Sequence, residues 1–163
     1  MLINRLEFLL MDNPLRAYIQ DKLEARRLRK LSSLPPDKVV LEIGCGNGTG
    51  TKLIKKYFSP REIYAVDLDE KMIDLAKENN IDPSIYFEVG GASSLGYDSN
   101  QFDAIFDFGI IHHIPNWGDC LKELERVLKP DGELILEDLS TETFDTSTGR
   151  IMKKFLEHPY ETM

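Results

Sequence analysis

Four glycines fall within seven positions of "VLEIGCGNGTGT" (40–51), directly behind an apolar run. A main chain stripped of side chains just after a buried type of strand marks one kind of junction, the turn of an open α/β sheet from its first strand into its first helix. Glycine there permits positive φ and lets another group approach the bare backbone. The amides that open the following helix offer donors to an anionic group.

The rest of the chain repeats the same alternation. "KVVLEI" (38–43) reads as a strand and 49–57 as a helix. "EIYAVDL" (62–68) is a second strand, and Asp69 suits the N-cap of a helix over "EKMIDLAKENN". "SIYFEVG" (84–90) and "FDAIFDFG" (102–109) are further strands. "WGDCLKELERVLK" (117–129) is an amphipathic helix, "PDG" (130–132) a turn and "ELILEDL" (133–139) a fifth strand. Strands rich in Val, Ile and Leu that alternate with helices predict a Rossmann-like, doubly wound α/β domain with a mainly parallel sheet covered on both faces. Its ligand crevice is expected beyond the C-terminal ends of the strands.

Two segments are expected. Residues 1–34 form an N-terminal helical segment, broken near Pro14 and closed by Pro35 and Pro36; residues 35–163 form the α/β domain. The 163 residues suffice for one domain with a real core. Cys45 and Cys120 stand far apart in no metal or redox spacing, which favours a reducing cytoplasm and no resident metal. "MLINRLEFLL" is too short and too charged for a secretory leader, and no later stretch is long and apolar enough to span a bilayer. A net charge of −8 weighs against a nucleic-acid substrate. The charge is uneven, however: residues 1–38 hold eight Lys or Arg against five acids. Within them "EARRLRK" (24–30) is either a solvated helix face or a small anion-binding one.

The glycine register narrows the ligand. G-x-G-x-x-G fails from either start, because Thr49 or Thr51 stands where the third glycine belongs, and no G-K-[ST] follows for a triphosphate. The run fits acid-x-G-x-G-x-G through Glu42, Gly44, Gly46 and Gly48. With Asp67 ending "YAVDLD", "FDAIFDFGIIHHIPN" (102–116) and "LKPDGELIL" (128–136) in order, residues 35–139 resemble the class I S-adenosylmethionine-dependent methyltransferases. The resemblance implies S-adenosyl-L-methionine as cofactor. Its methionine half would be wrapped by Glu42, Gly44, Cys45, Gly46 and Gly48, with Glu42 offsetting the ammonium. Asp67 would accept the ribose hydroxyls, and Leu68 and Met72 would wall the adenine, although Met72 equally suits the core. An acid often follows the third strand in this family. Here Gly91 and Ala92 occupy that place, leaving backbone groups and Ser93 for the adenine edge.

Methyl transfer from a sulfonium needs alignment and exclusion of water more than a covalent residue. Candidates for a base are His112 and His113, just past the fourth strand, and Asp107 within it, the last as base or as an acceptor-orienting carboxylate. Each histidine, taken singly, better suits a helix start bonded to backbone. In extended chain the two would point opposite ways, so only one would face the crevice. Arg16 and Tyr18 are candidates for a lid over the cofactor or for simple packing on the sheet edge, and Trp117 for shaping the acceptor pocket. "DFGI" replaces any N-P-P-[YF]-like run and no Pro-Cys nucleophile occurs, so a small-molecule acceptor is expected rather than adenine, glutamine or cytosine. A non-catalytic S-adenosylmethionine-binding regulatory or assembly protein is the alternative of a different class; aminopropyl transfer and a dehydrogenase are weaker ones. After Leu139 the sequence holds a loop and one helix (about 148–157) but not the family's closing strand hairpin. The fifth strand is therefore expected at an edge, open to a second copy of the chain.

Overall fold

The computed structural model describes Tyr18 and residues 20–137. Five strands, β1 (Val39–Ile43), β2 (Glu62–Asp67), β3 (Ile85–Val89), β4 (Phe102–Phe108) and β5 (Leu128–Glu137), form one sheet in the order β3-β2-β1-β4-β5. Every pairing is parallel. Helices α1 (Ala25–Leu31), α2 (Thr49–Phe58), α3 (Glu70–Asn79) and α4 (Trp117–Val127) cover it. The strand order reverses between β1 and β4, so the loops leaving those two strands open a crevice at the sheet's C-terminal edge. The doubly wound architecture expected from the alternation is the one found.

Alternation within β1 shows how the sheet divides its side chains. Val39, Leu41 and Ile43 face a core shared with Phe102, Ile105, Cys120, Leu124 and Val127, beneath α4. Val40 faces Ile54, Phe58, Ile63, Phe106 and Ile135, beneath α1 and α2. Phe58 and Phe106 meet edge to face with centroids 4.7 Å apart. Full burial of such a side chain contributes about 2–3 kcal/mol, so the two layers hold the sheet rigid behind its loops. Glu42 takes its turn on the α2 side, where a fully buried strand would otherwise carry an aliphatic residue.

Two expectations are corrected. The helix placed at 117–129 ends at Val127, because Leu128 already pairs with Phe102. The next paired residues are Ala104 and Glu133, so Lys129 to Gly132 oppose Asp103 alone and bulge outward. Pro130, lacking an N–H, sits in that bulge; the "PDG" turn lies inside β5 rather than before it. Residues 138 and 139, given to the fifth strand above, lie outside the described residues, as do Arg16 and the helix expected over about 148–157.

The described part of the N-terminal segment starts as a π-helical turn, Gln20–Glu24, and continues as α1. It packs on the far end of α2, where Lys56 meets Asp21 at 2.5 Å and Arg26 donates to the Tyr57 hydroxyl at 3.3 Å. Its C-terminal end is fastened to β5: Ser32 Oγ and Ser33 N donate to Glu133 at 2.5 and 3.0 Å, and Ser33 Oγ also donates to it. These contacts lie toward the amino ends of the strands, not over the crevice. Among the described residues β5 pairs on one side only, with Leu134 and Leu136 partly open to solvent.

Candidate functional site

The glycine loop joins β1 to α2, and each of its glycines meets something different. A Cβ on Gly44 would strike the Ile110 side chain, one on Gly48 would strike the Asn80 amide and Ala76, and one on Gly50 would strike the Glu42 carboxylate and Phe108. On Gly46, at φ +51°, it would meet nothing within 4 Å. Three glycines are therefore demanded by the protein's own packing, and Gly46 alone turns its bare face to open space. Sequence reasoning assigned Gly44, Gly46 and Gly48 to the ligand. The Cys45 amide donates to the Val66 carbonyl at 3.0 Å, while its side chain lies buried with Ala65, Ile73 and Phe87. Burial raises the Cys45 thiol pKa, and its backbone is engaged as well, the carbonyl accepting from Gly48 N at 2.9 Å.

Three carboxylates stand around this loop. Asp67, at the end of β2, accepts from the Gly46 amide with one oxygen at 2.9 Å and from the Asp69 amide with the other, also at 2.9 Å. Each carboxylate oxygen has a second lone pair, so a diol beside Gly46 can still be received. Glu42 is 2% exposed and accepts from the Thr51 hydroxyl. Burial, above all, pushes its carboxyl up to about 8; the Thr51 hydroxyl opposes this, and negative Asp67 and Asp107 add to it. Asp107 is fully buried at the end of β4 and accepts from the Ile110 amide at 2.8 Å. It thereby shapes the turn that carries Ile110 onto Gly44. That contact makes it a holder of the turn, and its sequestration from solvent weakens its candidacy as a base.

The remaining sequence candidates divide by exposure. Leu68 is 68% exposed and reaches toward Gly91, whose added Cβ would come to 3.3 Å from it. Met72 and Ala92 are buried, Ala92 among Val66 and Leu95, so neither presents its side chain freely. Ser93 is exposed in a tight turn in which Ser94 N donates to Gly91 O at 3.0 Å. Past β4, Ile111–His113 form a 3-10 turn. The extended-chain picture of the two histidines is thus corrected: the turn brings both rings to one side, centroids 3.9 Å apart and both residues exposed. Ile111 and Ile114 pack beside them against the core, and Trp117 is exposed. Tyr18 is also exposed, with no described contact that would make it a lid.

A hollow of about 410 Å³ lies elsewhere, between Ser33–Pro35 and the Lys129–Glu133 bulge. It is at the amino end of the sheet, away from every residue above. Its Glu133 is occupied by Ser32 and Ser33, and its Asp103 by Lys129 at 2.8 Å. The crevice at the other end has the chemistry: an open glycine, the hydrogen-bonded carboxylate of Asp67 at the end of the neighbouring strand, and the buried acids Glu42 and Asp107 beside the loop. Those features fit S-adenosylmethionine, whose sulfonium and ammonium outnumber its single carboxylate. Asp67 and the Gly46 backbone would hold it, and Leu68 would lie on the adenine side.

Comparison with known proteins agrees. Residues 41–136 match the family described as "Methyltransferase domain". The phthiotriol/phenolphthiotriol dimycocerosates methyltransferase of Mycobacterium leprae is 31% identical over 102 residues, which are 63% of this chain and 38% of that protein. The fatty-acid O-methyltransferase of Mycolicibacterium smegmatis is 31% identical over 62% of this chain and 37% of its own length. The aligned region thus spans well under half of these relatives. In fold, a SAM-dependent methyltransferase from Aquifex aeolicus superposes with a TM-score of 0.73 at 21% identity, covering 90% of this chain and 78% of that one. The chain belongs to the methyltransferase-domain family, within the class I S-adenosylmethionine-dependent methyltransferases.

Proposed function

We propose that this protein binds S-adenosylmethionine at the Gly46–Asp67 crevice and methylates a small, largely apolar acceptor by direct displacement. The observation that carries the reading is the open face of Gly46 with its amide hydrogen-bonded to Asp67. Bound there, the cofactor would supply an electrophilic methyl group on a sulfonium. The chain's own part is to bind and orient: Asp67 receives hydroxyls, the loop backbone aligns the amino-acid end, and Ile110 closes the crevice behind Gly44. His112 and His113, exposed just past β4, would take a proton from an acceptor hydroxyl or carboxyl as it is methylated. Ile111, Ile114 and Trp117 supply an apolar rim beside them. Two relatives are named for lipid acceptors, which fits that rim and favours an oxygen nucleophile on an apolar chain.

Calorimetric titration with S-adenosylmethionine, S-adenosylhomocysteine and NADH tests the cofactor. Both adenosyl ligands are expected to bind, with affinity falling at least about ten-fold in Asp67→Ala. Binding of NADH alone overturns the reading. Tight binding of the adenosyl ligands with no methylation of any hydroxyl- or carboxyl-bearing acceptor would instead favour a non-catalytic regulatory or assembly role. Pairing of the β5 edge with a second copy is a separate proposal, supported by the partly exposed Leu134 and Leu136. Sedimentation that stays monomeric across concentration would count against it.

A further inference from the structure

The least expected neighbour of the glycine loop is the far end of α3. Asn79 Nδ2 donates to the Asn47 carbonyl at 3.1 Å, and Asn80 Nδ2 donates to the Ala76 carbonyl at 2.8 Å and the Gly48 carbonyl at 3.4 Å. One amide of Asn80 thus satisfies a carbonyl in the last turn of α3 and the carbonyl that opens α2. Gly48 O also receives Lys52 N at 3.2 Å, so it is the first acceptor of the α2 ladder. Gly48 has φ +81°, and any side chain there would strike Asn80. The loop residue and the asparagine are therefore fitted to each other, not to a ligand.

The other end of α3 is fixed to the same loop. Asp67 joins the Gly46 amide to the Asp69 amide, and Asp69 in turn caps α3 by accepting from Lys71 N at 2.9 Å. A rigid helix of ten residues, Glu70–Asn79, is thus tied to the loop at Gly46 through its N-terminus and at Asn47–Gly48 through its C-terminus. We infer that Asn79 and Asn80 are positioning residues for the cofactor, α3 acting as a brace that holds the Gly46–Thr49 backbone in its binding shape before the ligand arrives. The inference rests on the S-adenosylmethionine reading above. Its physical content is preorganisation: a loop already held in place loses less freedom on binding. Neither asparagine faces Gly46 directly, so they act through the loop backbone.

The test is the pair Asn80→Ala and Asn79→Ala/Asn80→Ala, with Asn79→Gln as the conservative control that keeps a reaching amide. S-adenosylmethionine affinity is measured by calorimetry, and amide hydrogen exchange is followed residue by residue in the ligand-free protein. The double variant is expected to bind about ten-fold more weakly, the scale of one or two lost hydrogen bonds. Exchange should quicken at Gly46, Gly48 and Thr49 while the β4 and β5 amides stay protected, and Asn79→Gln should bind as the parent does. Affinity within two-fold of the parent with unchanged loop exchange overturns the inference. So does exchange that quickens equally throughout the sheet, which would make the asparagines merely stabilising. A parent protein that fails to bind S-adenosylmethionine overturns the cofactor reading and the ligand side of the inference; loop exchange in the variants then decides separately whether α3 braces the loop.

Discussion

At the scale of single residues, the four glycines of one motif separate by what lies behind them. Gly46→Ala places a methyl in open space at a cost of about 1 kcal/mol for the left-handed backbone. It is expected to reduce S-adenosylmethionine binding sharply while the urea midpoint moves little. Gly48→Ala adds a collision with Asn80 and Ala76 to the same strain and is expected to destabilise by about 2–4 kcal/mol. Paired unfolding and calorimetry check the contrast, and equal effects of the two changes would refute it. Glu42 gives a pH signature. Its carboxyl holds a proton in the folded state up to about 8, against 4.5 for the ordinary group, so the folded chain binds the extra proton between those values. Stability should fall as pH rises through that window, by up to about 1.4 kcal/mol per pH unit, and level off above it. Glu42→Gln keeps the Thr51 contact without the titration. Its chemical-denaturation stability should lack this part of the pH slope.

At the scale of elements, the fold was readable because strand and helix signals were long and separate. All five strands lie within two residues of their expected starts except β5. The exception has a physical cause: Pro130 and Gly132 carry turn chemistry, but Leu128 pairs with Phe102 before the bulge, so a local turn signal sits inside a continuous strand. The site was partly legible. Asp67 and the glycine run are set by short-range order around one loop, whereas Asn79 and Asn80 reach it from 32 positions away and look in sequence like a polar helix end. The helix-start reading of the histidines agrees with the 3-10 turn, but the opposed directions expected of their rings do not, because a three-residue turn leaves no periodicity to read. The clip at Glu133 is a further contact invisible in sequence, spanning about a hundred positions. Glu133→Ala removes the acceptor for Ser32 and Ser33. It should cost about 1–2 kcal/mol and speed proteolysis within residues 20–34, leaving cofactor affinity unchanged.

At the scale of the whole molecule, charge is divided along the chain and in space. Residues 20–61 hold ten Lys or Arg against four acids, whereas residues 62–137 hold five against seventeen. The acidic part includes Asp67, Asp69, Glu70 and Asp74, on elements that border the crevice, so the mouth of the site carries a negative field. A ligand with net positive charge is steered toward such a mouth, and salt screens the effect over about 10 Å at 0.1 M. Association of S-adenosylmethionine, followed through the fluorescence of Trp117, should slow several-fold as salt rises from low to about 0.5 M. Neutral S-adenosylhomocysteine should respond far less. Equal salt dependence for the two would remove steering from the account.

The unequal surroundings of the glycines also bear on how such a chain drifts over generations. Three of them are answerable to folding, since Ile110, Asn80 and Glu42 occupy the space a side chain would need. A descendant that gave up its ligand would still be held to glycine at 44, 48 and 50 by the need to fold, and at 46 would meet only the modest cost of a left-handed backbone. Persistence of the whole pattern therefore testifies chiefly to inherited architecture, and the letter at position 46 is where a lost trade would first be written.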